Sequence, residues 1–185
     1  LNKGEKYMNL SNNFTLSELS KSGTALRFGI ENKPNTNEIQ NLMRVCEKML
    51  QPVRDHYGVP IQPKSGFRCE ALEKRICWGG DDAKSAFAKW CARCSKMPNE
   101  KTWPEYFARK SHPSGEAVDF EVPGVSNLNL AIWIMNNLDF DQLILEFWKE
   151  GNPHAGWVHC SYKKEGNRKQ ILTIGAGGVS QGLGA

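Results

Sequence analysis

The segment from residue 117 to residue 174 most narrows what this chain can fold into. "EAVDFEV" alternates, with Ala117 and Asp119 on one face and Val118 and Phe120 on the other, as a strand does. "SNLNLAIWIMNNL" opens on a capping serine and carries an apolar stripe from Leu130 to Leu138, which predicts a helix. "DQLILEF" and "GWVHCSY" are β-rich runs separated by a polar loop containing Gly151 and Pro153, and "KQILTI" reads as a last strand. With the elements upstream, the order is helix, strand, insertion, strand, helix, strand, strand, strand. It predicts an α+β domain with a central, mainly antiparallel sheet and helices packed on one side.

Upstream, Thr15 and Glu18 in "FTLSELSKSG" form a capping-box pattern that starts a short helix. From Thr36 the apolar positions Ile39, Leu42, Met43, Cys46, Leu50 and Val53 recur at three and four residues, an amphipathic helix of about five turns. Gly58 and Pro60 end it. Cys46 lies on its apolar stripe and reads as core, and His56 near its end reads as a polar helix-end contact. "VPIQPKSGFR" reads as a strand running into a glycine turn and "EALEKRI" as a short helix. The Gly-rich tail from residue 175 to 185 reads as flexible, and residues 1–11 as an N-terminal extension. The domain proper is assigned to residues 12–174.

At 185 residues, 39% hydrophobic and 24% charged, the composition is that of one globular domain rather than a disordered chain. No apolar run approaches the roughly 20 residues that cross a bilayer, and "LNKGEKYMNLSNNF" lacks the apolar centre of a signal peptide. A net charge of +4 suits an anionic polymer as partner and is too weak to argue for nucleic acid.

His112 and Asp119 stand in "KSHPSGEAVDF", where Pro113 and Gly115 permit a bend that brings both to one ion. A catalytic zinc takes about three protein ligands and keeps one position open. His159 in "GWVHCSY" supplies a third candidate, because alternation puts Trp157, His159 and Ser161 on one face. By spacing alone, two histidines and an aspartate are a weak signal.

"SHPSGEAVDF" resembles the Ser-x-His-x-x-Gly-x-Ala-x-Asp signature of the zinc D-alanyl-D-alanine carboxypeptidases and related phage endolysin peptidases. "LQPVRDHYGVPIQPKSGFR", "FDQLILEF" and "GWVHCSYKKEGNRKQ" resemble other blocks of that family in the same order, so the likeness covers about residues 12–76 and 111–174. The hedgehog amino-terminal domain shares the fold, and its "HCS" is similar to His159-Cys160-Ser161. The resemblance implies zinc ligands at His112, Asp119 and His159, with Arg68 pointing into the site to hold a substrate carboxylate or the developing oxyanion. It implies metal-assisted amide hydrolysis in the stem peptides of bacterial peptidoglycan. The general base is either Glu146, at the end of "DQLILE" and the preferred candidate, or His154, five residues before His159. Many relatives carry a glutamate three residues before the last histidine ligand; here that position is Gly156.

Residues 77–110 read as an inserted lobe, with seven Lys/Arg against four Asp/Glu from residue 81 to 110. Cys69, Cys77, Cys91 and Cys94 lie in it or at its edge, spaced C-x7-C-x13-C-x2-C. Three readings stay open for them: a second, structural zinc, disulfides, or free thiols. Trp103, Tyr106 and Phe107 either wall the substrate groove or pack the lobe, and Cys160 reads as core.

Together these readings predict a monomeric zinc peptidase made in the cytoplasm and acting at the bacterial cell wall, lysin-like or virion-associated, without nucleic acid or membrane partners. The rival is a catalytically silent wall-binding or virion module that keeps the fold and the zinc. A protein- or nucleic-acid-recognising Cys lobe beside a vestigial site is the weakest reading.

Overall fold

The long helix that begins at Thr36 is the spine of the structure, a computed structural model that describes residues 8–79 and 84–184. It follows two short capped helices, α1 (Leu16–Ser20) and α2 (Gly23–Arg27), and the expected capping box of Thr15 with Glu18 is present. Helix α3 spans 36–57 in three continuous pieces: Thr36–Val45, a π turn at Cys46–Leu50, and Gln51–Tyr57. Pro52 has no N–H to give the helix, and the wider turn just before it accommodates that loss. The stripe predicted from the sequence is buried: Leu42, Cys46, Leu50 and Val53 are fully enclosed.

Among the described residues five strands form one sheet in the order β1-β3-β2-β4-β5, with β1 Ala117–Phe120, β2 Gln142–Trp148, β3 Trp157–Ser161, β4 Gln170–Gly175 and β5 Gly178–Gln181. Every pairing is antiparallel except β2 with β4, so the sheet is mixed and mainly antiparallel, as expected. One face carries Val118, Phe120, Leu143, Leu145, Val158 and Cys160 into a core shared with α3 and with Leu130, Ala131 and Ile134 of the helix Asn127–Asn137. No helix among the described residues is long and apolar enough to cross a membrane.

Several local expectations are corrected. "VPIQPKSGFR" is extended but makes only an isolated bridge, Ser65 with Asp119, since Pro60 and Pro63 have no N–H to donate to a ladder. The glycine-rich tail contributes β5 to the sheet edge rather than hanging free. Within the predicted N-terminal extension, Leu10 is buried in the core, while residues 1–7 lie outside the described residues. His56 stacks on Trp133, with centroids 4.4 Å apart, instead of making a polar helix-end contact.

After Arg68 the helix Glu70–Cys77 leads into the inserted lobe, which holds helices Ala86–Arg93 and Trp103–Phe107. It has a core of its own, built from Phe87, Trp90, Trp103 and Tyr106 with Trp78 and Phe107 packed against them. Trp103 and Tyr106 are therefore packing residues, the blander of the two readings open for them. All six cysteines are free thiols. The second zinc expected at Cys69, Cys77, Cys91 and Cys94 finds no support: among the described residues these four do not gather into a ligand cluster. Cys69 packs against the main core, Cys77 and Cys91 belong to the lobe's core, and Cys94 is exposed. Aromatic burial supplies the cohesion that a metal would otherwise have to provide.

Candidate metal centre

The site is built on the face of the sheet opposite the core. In the antiparallel register Asp119 of β1 stands directly across from His159 of β3, and Ile144 of β2 flanks His159 on its other side. The backbone of Asp119 also pairs with the segment before Arg68: its N–H donates to the Ser65 carbonyl at 2.8 Å, and its carbonyl accepts from Lys64 N–H at 2.8 Å. That pairing lays "KSGFR" across the edge of β1 and carries Arg68 over the Asp119 carboxylate. Gly66 is required where this segment crosses α1, because a Cβ there would sit 2.4 Å from the Leu19 carbonyl oxygen.

His112, Asp119 and His159 are all buried, and one ligand atom from each lies within 4.8 Å of the other two. His112 Nδ1 lies 2.6 Å from the Gly66 carbonyl oxygen, which can only accept, so Nδ1 carries the proton and Nε2 faces inward. Asp119 Oδ1 lies 3.2 Å from His112 Nε2 and 2.8 Å from His159 Nδ1. Neighbouring ligands on a tetrahedral zinc with bonds near 2 Å stand about 3.3 Å apart, close to these separations. With Nδ1 tied to the Gly66 carbonyl, His112 Nε2 is left facing a carboxylate oxygen, where one cation can be shared among three donors. The residues present fit a divalent metal: two imidazoles, one carboxylate, and a backbone carbonyl fixing the first histidine.

Burial alone works against an ionised Asp119, but the two histidines, by charge and hydrogen bonding, outweigh it and hold the carboxyl well below its ordinary range. For His159, burial opposes the imidazolium, while Asp119 and the charge of Glu146 pull its pKa upward. The outer oxygen of the aspartate is held as well: Arg68 Nη2 donates to Asp119 Oδ2 at 2.7 Å, and Arg68 Nε donates to Ser65 Oγ at 2.8 Å.

Glu146 lies on the same sheet face, paired with Trp157 two residues along from the Ile144–His159 pair. Burial raises its pKa, and Asp119 adds to this, against the opposing charges of His159, His112 and Arg68. Phe147, which strict alternation after Leu143 and Leu145 would turn to the core, is exposed, because a register irregularity between Glu146 and Trp148 turns the strand there, with φ of 54° at Phe147. His154 is exposed and lines a separate cleft with Glu18, Glu121 and Pro123; the structure does not bring it to the metal cluster.

A cleft of about 480 Å³ opens over Arg68 and Asp119, bordered by Lys21, Arg27, Lys64, Ile76 and Trp157. Its rim is cationic, which suits a substrate bearing carboxylates. Behind Arg68 lies a residue that the sequence reading missed. Glu73 is 1% exposed and lies 3.4 Å from Arg68 Nη1. The signal available for it was weak: Glu73 and Cys77 stand four apart on one helix face, and Cys77 Sγ donates to Glu73 Oε1 at 3.0 Å.

Residues 12–89 match the model of the family Peptidase M15. No curated protein matches the chain. The matched segment contains Arg68 and Glu73 and stops before His112, so the buried His-Asp-His cluster stands as an observation independent of the match. Over residues 12–89 the chain is similar to the Peptidase M15 family.

Proposed function

We propose that this protein is a zinc-dependent peptidase that hydrolyses amide bonds in the stem peptides of bacterial peptidoglycan, as a carboxypeptidase or a lysin-like endopeptidase. The convergence of His112 Nε2, Asp119 Oδ1 and His159 Nδ1 on one buried point carries this reading. His112, Asp119 and His159 would hold the zinc. A zinc ion supplies Lewis-acid polarisation of the scissile carbonyl and of the attacking water.

The chain's own groups do the rest. Glu146, on the site face of β2, takes the proton from the attacking water and delivers it to the leaving amine. Arg68 presents a planar cation at the cleft and anchors a substrate carboxylate or the developing oxyanion. Lys21, Arg27 and Lys64 at the rim draw in an anionic peptide. The presence of Glu146 beside the cluster supports an enzyme over a silent binding module of the same fold.

The test is digestion of purified peptidoglycan by zinc-loaded protein, with analysis of the released fragments. The wild type is expected to release peptide fragments, Asp119→Ala to release none, and Glu146→Gln to keep zinc while losing turnover. Equal products from wild type and Asp119→Ala, or none from the zinc-loaded wild type, overturn the proposal.

A further inference from the structure

The carboxylate of Glu73 joins two parts of the molecule. Its Oε2 faces the site, 3.4 Å from Arg68 Nη1. Its Oε1 faces the lobe, where it accepts from Cys77 Sγ at 3.0 Å and lies 3.8 Å from Lys110 Nζ. Both side chains of the Arg68–Glu73 pair are largely shielded, at 17% and 1% exposure. Burial would raise the Glu73 pKa, but Arg68 and Lys110 outweigh it and hold the carboxyl below its usual range. Burial and the neighbouring Glu73 push the Cys77 thiol up to about 11, so it stays an S–H donor.

Arg68 has little freedom within this frame. Nε is on Ser65, Nη2 on Asp119 and Nη1 toward Glu73, so each nitrogen of the guanidinium faces an acceptor. A bare guanidinium on Asp119 presents two difficulties for a metal centre. It withdraws the aspartate's charge from the ligand set, and it sets a positive charge beside the place for a dication. A second carboxylate on the far side of the guanidinium relieves both.

We propose that Glu73 is a positioning residue of the reaction centre: it holds Arg68 in place and offsets its charge, so that His112, Asp119 and His159 accept a divalent cation next to a guanidinium. Through Cys77 and Lys110 the same carboxylate ties the inserted lobe to the site, which gives the lobe a role in bracing Arg68. The inference rests on the metallopeptidase reading for its meaning, but its test uses no peptide substrate.

The experiment is a double-mutant cycle on zinc affinity, read by competition with a chromogenic chelator, with wild type, Glu73→Gln, Arg68→Met and the double variant. Glu73→Gln is expected to weaken zinc binding about 10-fold, the lower end of the effect of losing an outer partner of a metal ligand. In the Arg68→Met background the same change is expected to have no effect, because there is no guanidinium left to offset. Cobalt spectra of Glu73→Gln report whether the ligand set itself is unchanged. Glu73→Asp, which keeps the charge but withdraws it from Arg68, is expected to fall between wild type and Gln. Unaltered zinc affinity in Glu73→Gln, or an equal loss with and without Arg68, overturns the proposal. Failure of both Glu73 variants to fold also overturns it, in favour of a purely structural carboxylate. Tight zinc binding with the predicted coupling but no peptidoglycan cleavage leaves the positioning role standing and sinks the proposed substrate.

Discussion

A Cβ placed on Gly156 would lie 1.7 Å from the carbonyl oxygen of Glu146. The two backbones are in direct contact where β3 begins beside the end of β2, and Gly156 has a φ of 73°. A side chain at this position is excluded by sterics and disfavoured by conformation. The glutamate that many relatives place three residues before the last histidine therefore has no room here, and the carboxylate on the site face comes from Glu146 itself. Gly156→Ala is expected to lower stability by about 2–3 kcal/mol through overpacking and to reduce turnover by displacing Glu146. Denaturant unfolding and peptidoglycan digestion measure the two effects. Gly156→Glu is expected to be more damaging still, and not to supply a base.

Removal of any one of the three site ligands should abolish metal binding at stoichiometric concentrations. His112→Ala and His159→Ala each delete a nitrogen that faces Asp119 Oδ1. Isothermal titration with zinc should show one site in the wild type and none in either variant. Chelation of the wild type is expected to lower its melting temperature, because a ligand bound to the native state alone stabilises that state.

Zinc content is expected to be one per chain. Cys91→Ser and Cys94→Ser should leave it unchanged, since neither thiol belongs to a ligand cluster among the described residues. With a thiol reagent under native conditions, exposed Cys94 should react first and buried Cys46 and Cys160, whose pKa values burial raises, last. Metal analysis and timed mass spectrometry check these outcomes.

Away from the site, Asp141 gives the pH dependence of stability a definite sign. Burial works to raise its pKa, but hydrogen bonds from the Arg168 side chain and backbone, with the charges of Arg168 and Lys163, bring it below the ordinary value. Arg168 Nε donates to Oδ1 at 2.8 Å and Nη2 to Oδ2 at 2.6 Å. A carboxylate depressed on folding contributes stability that is fully present above its unfolded pKa, about 3.9, and is lost as pH falls through the lower folded value. Stability should therefore drop below about pH 4. In Arg168→Ala, which leaves the buried carboxylate without its fork, stability at neutral pH should fall by about 2–3 kcal/mol and the acid-dependent loss should shrink. Urea unfolding at several pH values tests both.

Local pattern made the residues of the buried cluster candidates, and the resemblance between blocks joined them into one set. His112 and Asp119 share one turn and strand, and two-residue alternation puts His159 on a face with Trp157 and Ser161. Glu146 and Arg68 were readable through a resemblance between blocks rather than through any pattern of their own. Glu73 was not readable. In "EALEKRI" it has the look of a solvated helix residue, and only the lobe folding over it turns it into a buried carboxylate. His154 and Glu146 were rivals on paper, because chain distance from His159 says nothing about which side of a loop faces a cleft.

By itself the sequence determined the elements and the donor set: the helix from Thr36, the strand carrying Asp119, the alternation that presents His159, and the absence of any long apolar span. These follow from short-range periodicity, which the backbone imposes within a few residues. Tertiary structure alone decided that "KSGFR" lies across Asp119, that Gly156 touches Glu146, that Cys77 and Cys91 enter an aromatic core away from Cys69 and Cys94, and that Glu73 stands behind Arg68. Each of these joins residues distant in sequence or facing across a loop. Such meetings are set by how surfaces pack and which buried charges must be paired, and no local pattern records them.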